Sequence, residues 1–335
     1  MDSLTQIVLG AAVGEAVLGK KVGNKAVLWG AIAGTIPDLD VLTKLFFDSV
    51  TANEMHRGFS HSIVFSLLFA PLFGWLVFKL YKEREGTWKG WTKLFFLSLV
   101  THPLLDAHTT WGTQLFWPLA NKISYKNIFV VDPLYTLPFL GFLLLAMYHK
   151  QGTVKRARLN NLGLYVSTSY MLLTLIFKGI TFKVFADSLK AQNIDYSELE
   201  TKPTPLNSIL WTANVETEHA YLIGYYSLFD SSKEVQFTSF PKNRNLLGTY
   251  KNNELIKRLS KLSKGWYTVE KRGEKLYFND LRFGLLGVAS TEKRFVFSYE
   301  LYEEDGVLMA RETAKKTDEV APMLAELWQR IKGVY

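Results

Sequence analysis

Acids and imidazoles stand at the edges of apolar segments in three places. They are Asp38 and Asp40 in Pro37-Asp-Leu-Asp, His56 and His61 in His-Arg-Gly-Phe-Ser-His-Ser, and His102 with Asp106 in Thr-His-Pro-Leu-Leu-Asp. Ionisable side chains in or beside a membrane span are expensive, so they point to a function by default. His102 and Asp106 are four residues apart, which on a helix puts them on one face where they can hold a single ion. Pro103 limits this, because proline suits a first helical turn or a kink better than an unbroken helix. His56 and His61 share no helical face, but Arg57-Gly58 reads as a turn and His61 as a helix start, so both rings can point inward. Asp38 and Asp40, just beyond Pro37, can both reach a site from an extended or turning segment.

The chain contains no cysteine, which leaves His, Asp and Glu as metal ligands. Nitrogen and carboxylate ligands suit Zn²⁺, with Mn²⁺ or Fe²⁺ as alternatives, and three His with at least three Asp suffice for one or two ions. Two ions clamp the attacking and leaving oxygens of a phosphoester displacement, and one ion with an open position activates water. Arg57 offers a planar fork for a phosphate. Simpler roles stand beside these. Asp38 and Asp40 can cap or end a helix, Asp132 before Pro133 can be a turn residue, and a single His at a span edge is more often interfacial than a ligand. His108 lies off the His102 to Asp106 face and reads as supporting or solvated, while His149 and His219 have no evident partner. Glu15 is expected near Lys20 or Lys21, and Trp75, Trp111, Trp117 and Tyr148 read as interfacial belt residues.

The elements that must position these groups follow from the apolar runs. Of 335 residues, the first half holds four runs that span or nearly span a bilayer, at about residues 63–80, 94–107, 128–148 and 162–177. Residues 4–18 and 26–36 are shorter, and their Gly10, Ala11, Ala12, Gly14, Gly30, Ala31, Ala33 and Gly34 suit a tight helical hairpin. No basic region precedes the first run, which argues against a cleaved leader. The net charge is +8, gathered in short loops: Lys20, Lys21 and Lys25; Lys79, Lys82, Arg84, Lys89 and Lys93; Lys150, Lys155, Arg156 and Arg158. That distribution is a topology signal and not a nucleic-acid footprint, so no nucleic-acid partner is expected. Placing the three loops inside satisfies one topology. His56, His61, His102, Asp106, Asp132 and Pro37-Asp-Leu-Asp then all reach the outer level of the membrane.

Pro37-Asp-Leu-Asp, His56-Arg-Gly-Phe-Ser-His-Ser and Thr101-His-Pro-Leu-Leu-Asp-Ala-His-Thr-Thr-Trp-Gly, with Trp117-Pro118, resemble the YdjM-like family of membrane-bound, metal-dependent hydrolases. The resemblance covers about residues 1–150. It implies Asp38, Asp40, His56, His61, His102 and Asp106 as metal ligands, in a pattern similar to that of zinc-dependent phospholipase C. Where some relatives carry a histidine in the first helix, this chain has Gln6, with Asp2 or water as the substitute ligand.

From about Lys183 the composition changes to β-forming segments at residues 208–217, 220–229, 266–270, 275–278 and 294–302, with helical patterns at 253–263 and 317–332. An amphipathic stretch over 183–196 and a Pro203 to Pro205 linker precede them. The expectation is a multi-pass α-helical membrane bundle over residues 1–182, of four spans plus the short hairpin. A small α+β domain with an antiparallel sheet follows over 183–335, as an extracytoplasmic cap above the site. The whole reads as a bacterial inner-membrane hydrolase of a lipid-linked or interfacial phosphoester, with Arg57 on the phosphate and Asp132 supporting or bridging the metal. Two rivals remain: a non-catalytic scaffold held by a polar cluster, and a cation path, which the gathering of the acids at one membrane level disfavours.

Overall fold

A computed structural model of the chain describes residues 1–81, 86–119, 121–287, 294–313 and 320–333. The chain divides into two compact units. The first comprises Met1–Phe46, Met55–Ile176 and Pro205–Ser208, and the second Phe47–Glu54, Phe177–Thr204 and Ile209–Tyr335.

The first unit begins with α1 (Ser3–Gly14), which runs through a π-helical turn at Glu15–Gly19 and a left-handed Gly23 into α2 (Asn24–Thr35). The small residues act as the spacing predicts. A Cβ on Gly10 would lie 2.3 Å from the Gly30 carbonyl oxygen, and one on Gly30 2.2 Å from that of Gly10, so the two backbones touch. The second helix does not end near Ile36. It continues as a ten-residue 3₁₀ helix, Ile36–Leu45, giving an apolar stretch Asn24–Leu45 of 22 residues that is long enough to cross a membrane. Pro37 occupies the first turn of the new helix, where its missing N–H costs no hydrogen bond.

After α3 (Ser49–Met55) come α4 (Ile63–Leu80), α5 (Trp88–Asp106), α6 (Pro133–Tyr148) and the 38-residue α7 (Val154–Ala191). Among the described residues three helices are long and apolar enough to cross a membrane, Asn24–Leu45, Ile63–Leu80 and Val154–Ala191, and Pro133–Tyr148 is a shorter apolar helix. The run at 94–107 forms the end of α5, whose opening turns carry Lys89 and Lys93. Pro103 sits inside that helix without ending it. Trp91, Leu94, Phe95 and Leu99 of α5 are buried in one core with Phe65, Ala70 and Val77 of α4.

Two sequence expectations change here. Glu15 pairs with neither Lys20 nor Lys21: its carboxylate accepts from Arg156 Nε at 2.7 Å and Nη2 at 2.6 Å, with both residues buried. Arg156 is therefore no solvated loop charge, because a guanidinium buried in the bundle needs a facing carboxylate. Lys82 and Arg84, part of the middle basic loop, lie outside the described residues.

The second unit contains two four-stranded antiparallel meanders. The strands β1 (Glu198–Pro203), β2 (Leu210–Glu216), β3 (Ala220–Ser227) and β4 (Phe237–Pro241) form one sheet in that order. The other is β5 (Tyr267–Arg272), β6 (Lys275–Leu285), β7 (Phe295–Glu304) and β8 (Val307–Glu312). A helix precedes each meander. Val184, Phe185 and Leu189 from the end of α7 pack on Trp211, Ala213 and Val215, while Ile256 and Leu259 of α8 (Glu254–Leu262) pack with Tyr267, Val269 and Phe278. Tyr221, Ile223 and Phe240 join Trp266, Leu281 and Phe295 in a core shared by the two sheets. Pro203 is the last residue of β1 and not a linker, a placement that suits an edge strand. The terminal helix is α9 (Val320–Ile331), and residues 317–319 of the expected helix lie outside the described set.

Because the α1 to α2 contact is backbone on backbone, Gly10→Ala forces the helices apart. It is expected to cost about 1–3 kcal/mol, read as a lowered unfolding midpoint in a mixed-micelle denaturation. An unchanged midpoint would contradict the close approach.

Candidate metal centre

The 3₁₀ helix supplies Asp38 and Asp40. The chain then returns through Arg57, whose φ of 57° is left-handed, and a 3₁₀ turn at Phe59–His61 that delivers His61. Ser62 caps the next helix, its hydroxyl accepting from the Phe65 N–H at 3.0 Å, so His61 stands just before the cap, two residues ahead of the helix start at Ile63. The last turn of α5 contributes His102 and Asp106.

Four of these side chains converge. Asp38, His61, His102 and Asp106 each present one ligand atom, and the four atoms lie within 4.8 Å of one another. His61 Nε2 and His102 Nε2 are 3.1 Å apart. Asp38 Oδ1 is 3.3 Å from the first and 3.4 Å from the second, and Asp106 Oδ2 is 3.4 and 3.5 Å from them. The opposite ring nitrogens are spoken for. His102 Nδ1 lies 2.6 Å from the Gly34 carbonyl, to which it must donate, and His61 Nδ1 faces Ser60 Oγ at 3.0 Å and Asp40 Oδ2 at 3.3 Å. A ring that donates through Nδ1 offers a lone pair at Nε2. The two Nε2 atoms and the two carboxylate oxygens then point at one another, and a proton on either Nε2 makes that ring a donor to its partner ring or to a carboxylate. Asp106 Oδ2 is buried and accepts no hydrogen bond from a described residue. Such a set can hold a metal ion, and its mixture of nitrogen and oxygen fits a divalent transition metal.

The remaining candidates lie one step back. Asp40 spends its oxygens on His56 Nδ1 at 2.8 Å, the Arg57 backbone N–H at 2.8 Å, Ser60 Oγ at 3.2 Å and His61. It therefore orients His61 instead of joining the four, as a carboxylate behind a ligating histidine does. His56 is held by Asp40 and stands with its ring edge-on to Trp111 at a centroid distance of 5.5 Å, which moves Trp111 from the interfacial belt to the rim of the site. Arg57 is buried with Nε 3.1 Å from Asp106 Oδ2 and Nη1 donating to Thr109 Oγ1 at 2.7 Å. Asp132 is not brought to the cluster. Its Oδ1 caps α6 by accepting from the N–H groups of Leu134 and Tyr135, and its Oδ2 accepts from Tyr170 OH at 3.0 Å and Ser208 Oγ at 2.9 Å. His108 is partnered by Asn127 Oδ1 at 2.8 Å.

Sequence reasoning missed Gly34, Ser60 and Thr109. A carbonyl leaves no trace in a pattern of side chains, although Ser60 sits inside the His56 to His61 motif. Gln6 donates to Asp106 Oδ1 at 3.1 Å, and the amino group of Met1 contacts the same oxygen.

Burial alone would lower the His61 imidazole, but the carboxylates of Asp106, Asp38 and Asp40 outweigh it and push the ring up to about 9. Without a metal the site thus takes up its cation as a proton, and a metal must displace it. Apparent Zn²⁺ affinity is expected to rise with pH until about 9, by about tenfold per pH unit. Competition with a chromophoric chelator measures this, and a flat profile across neutral pH would contradict it. In the same assay His61→Ala and Asp106→Asn are expected to abolish binding, while Asp40→Asn weakens it about 10–100-fold.

Comparison with known proteins places this centre in a family. Residues 1–183 match the model described as YdjM inner membrane protein, and they include every residue of the cluster. The chain is 28% identical over 238 residues to the uncharacterized protein YfhP of Bacillus subtilis (strain 168), covering 67% of this chain and 68% of that protein. It is 37% identical over 101 residues to the inner membrane protein YbcI of Escherichia coli (strain K12), covering 30% of this chain and 57% of the relative. No solved structure matches. The chain belongs to the YdjM inner membrane protein family.

Proposed function

We propose that this protein is a membrane-bound, metal-dependent hydrolase of a phosphoester that is lipid-linked or held at the membrane interface. The observation that carries the reading is the convergence of Asp38 Oδ1, His61 Nε2, His102 Nε2 and Asp106 Oδ2 from three segments of the chain to within 4.8 Å of one another. Four ligands from one group favour a single ion. Zinc suits the set best, with manganese or iron as alternatives. Such an ion, when bound, supplies a polarised water and an electrophile for the phosphoryl oxygen.

The chain's own residues do the rest. Asp40 holds His61, and the Gly34 carbonyl holds His102, so the two rings keep their Nε2 atoms directed at one point. Arg57, engaged by Asp106 and Thr109, contributes positive charge beside the site and favours an anionic substrate. Lys122 adds a second cation near the rim, its Nζ donating to the His56 carbonyl and lying 5.3 Å from the Trp111 ring centre. The basic residues at Lys20, Lys21, Lys25, Lys150 and Lys155 support a cytoplasmic placement of those loops, and hence an extracytoplasmic cluster and sheet unit.

One observation favours a second reading. The cluster also ties helices together, since Gln6 of α1 donates to the His102 carbonyl at 3.3 Å and His102 of α5 donates to Gly34 of α2. A structural metal would serve a scaffold in the same way.

Elemental analysis of detergent-purified protein, followed by a panel of soluble and lipid phosphoesters, separates the two. The hydrolase reading expects stoichiometric metal and turnover, both lost in His102→Ala and Asp106→Asn. Metal without turnover on any phosphoester would favour the scaffold, and absence of metal from folded protein would end the hydrolase reading and leave the scaffold held by its polar cluster.

A further inference from the structure

The 3₁₀ helix that carries Asp38 and Asp40 is unusual in running for ten residues, Ile36–Leu45, where such helices seldom exceed about 3–4. With three residues per turn, side chains at i and i+3 fall in line. Pro37, Asp40 and Thr43 make one line; Pro37 is buried and Asp40 is bonded to His56, Arg57 and Ser60. Leu39, Leu42 and Leu45 make another, and it is exposed: 53%, 50% and 75% of their surface is open. Helix α2 and this 3₁₀ helix are one continuous apolar stretch, Asn24–Leu45, long enough to cross a membrane. The leucine line is therefore the last part of a candidate span and shares its solvent. Lys44, exposed beside the line, is placed to reach the headgroups.

We propose that the Leu39, Leu42 and Leu45 stripe lies against the acyl chains of one leaflet, so that the ligand-bearing helix is held at headgroup depth and the site receives a phosphoester that stays anchored in the bilayer. The second half rests on the hydrolase reading above; the first does not. Acyl chains are the chosen occupant because the stripe continues a membrane span. A single helix then presents Asp38 to the cluster, Asp40 to the residues behind it and the leucine line to lipid, and a headgroup can enter sideways while its chains remain in the leaflet.

The chain has no cysteine, so single-cysteine labelling is clean. Leu42→Cys and Leu45→Cys, each carrying an environment-sensitive fluorophore in phosphatidylcholine vesicles, are expected to be quenched several-fold more by lipids brominated on their acyl chains than by aqueous iodide. Exposed Lys233→Cys in the sheet unit serves as the reference and is expected to show the reverse. Iodide quenching of both leucine positions at the level of Lys233→Cys would overturn the lipid contact. For the substrate, the metal-loaded full chain is given phosphatidic acid in phosphatidylcholine vesicles, or soluble para-nitrophenyl phosphate. Water oxygen bonds to phosphorus, the bond from phosphorus to the alcohol oxygen breaks, and the departing oxygen takes the proton, giving diacylglycerol and inorganic phosphate from the lipid. A rate at least several-fold higher on the vesicle-borne ester is expected, with the excess lost in Leu42→Ser/Leu45→Ser while its metal content is kept. Equal rates on the two esters would overturn the bilayer-anchored substrate. Turnover of neither would overturn the hydrolase reading and with it the substrate half, leaving the lipid contact to be decided by quenching alone.

Discussion

Two imidazole nitrogens and two carboxylate oxygens converge inside the bundle, where their lone pairs repel unless protons or cations lie among them, and much of the first unit is arranged around that constraint. His61 and His102 bring their Nε2 atoms to 3.1 Å, and Asp38 and Asp106 close the other sides. Each ring is locked from behind, one by the Gly34 carbonyl and the other by Asp40 and Ser60. The cost of assembling like-minded lone pairs is met by whatever positive charge occupies the space, a proton on His61 or a metal ion.

The scaffold serves that arrangement through contacts that are individually ordinary. Gly10, Gly14, Gly30 and Gly34 let α1 and α2 approach until their backbones touch, which carries the Gly34 carbonyl to His102 of α5. The Glu15 to Arg156 pair joins the π-helical turn after α1 to α7. A buried ion pair adds little net stability over an apolar contact, but it penalises any packing that separates its partners, so its use here is to specify which helices meet. The 3₁₀ helix completes the set by sending Asp38 and Asp40 into the site from an element whose opposite edge is apolar.

In the second unit the four central strands and one edge, β5, are legible in the sequence, and the other three edges are not. The central strands β2, β3, β6 and β7 are legible from their β-branched and aromatic side chains, which fit a pleated, partly buried face. The strands that escaped notice, β1, β4 and β8, are all edges. Edge strands carry charges and prolines that discourage pairing with other chains, as Glu198, Glu200 and Pro203 do in β1, and these residues erase the pattern that a reader looks for. The helix before each meander is legible, as the amphipathic stretch over 183–196 and the pattern at 253–263, but the single expected sheet is two.

The sequence by itself determined the membrane character, the close approach of the first two helices and the short set of acids and imidazoles worth considering, since hydropathy, small-residue spacing and misplaced charge are local properties. Only the tertiary structure decided which of that set meet. Asp40 and His56 carry the same chemistry as Asp38 and His61 and sit within a few residues of them, yet they stand behind the cluster, and Asp132 caps a helix instead. The difference lies in direction: the hand of a 3₁₀ helix, the left-handed turn at Arg57 and a carbonyl on a neighbouring helix aim each side chain, and none of these is written in residue type or spacing.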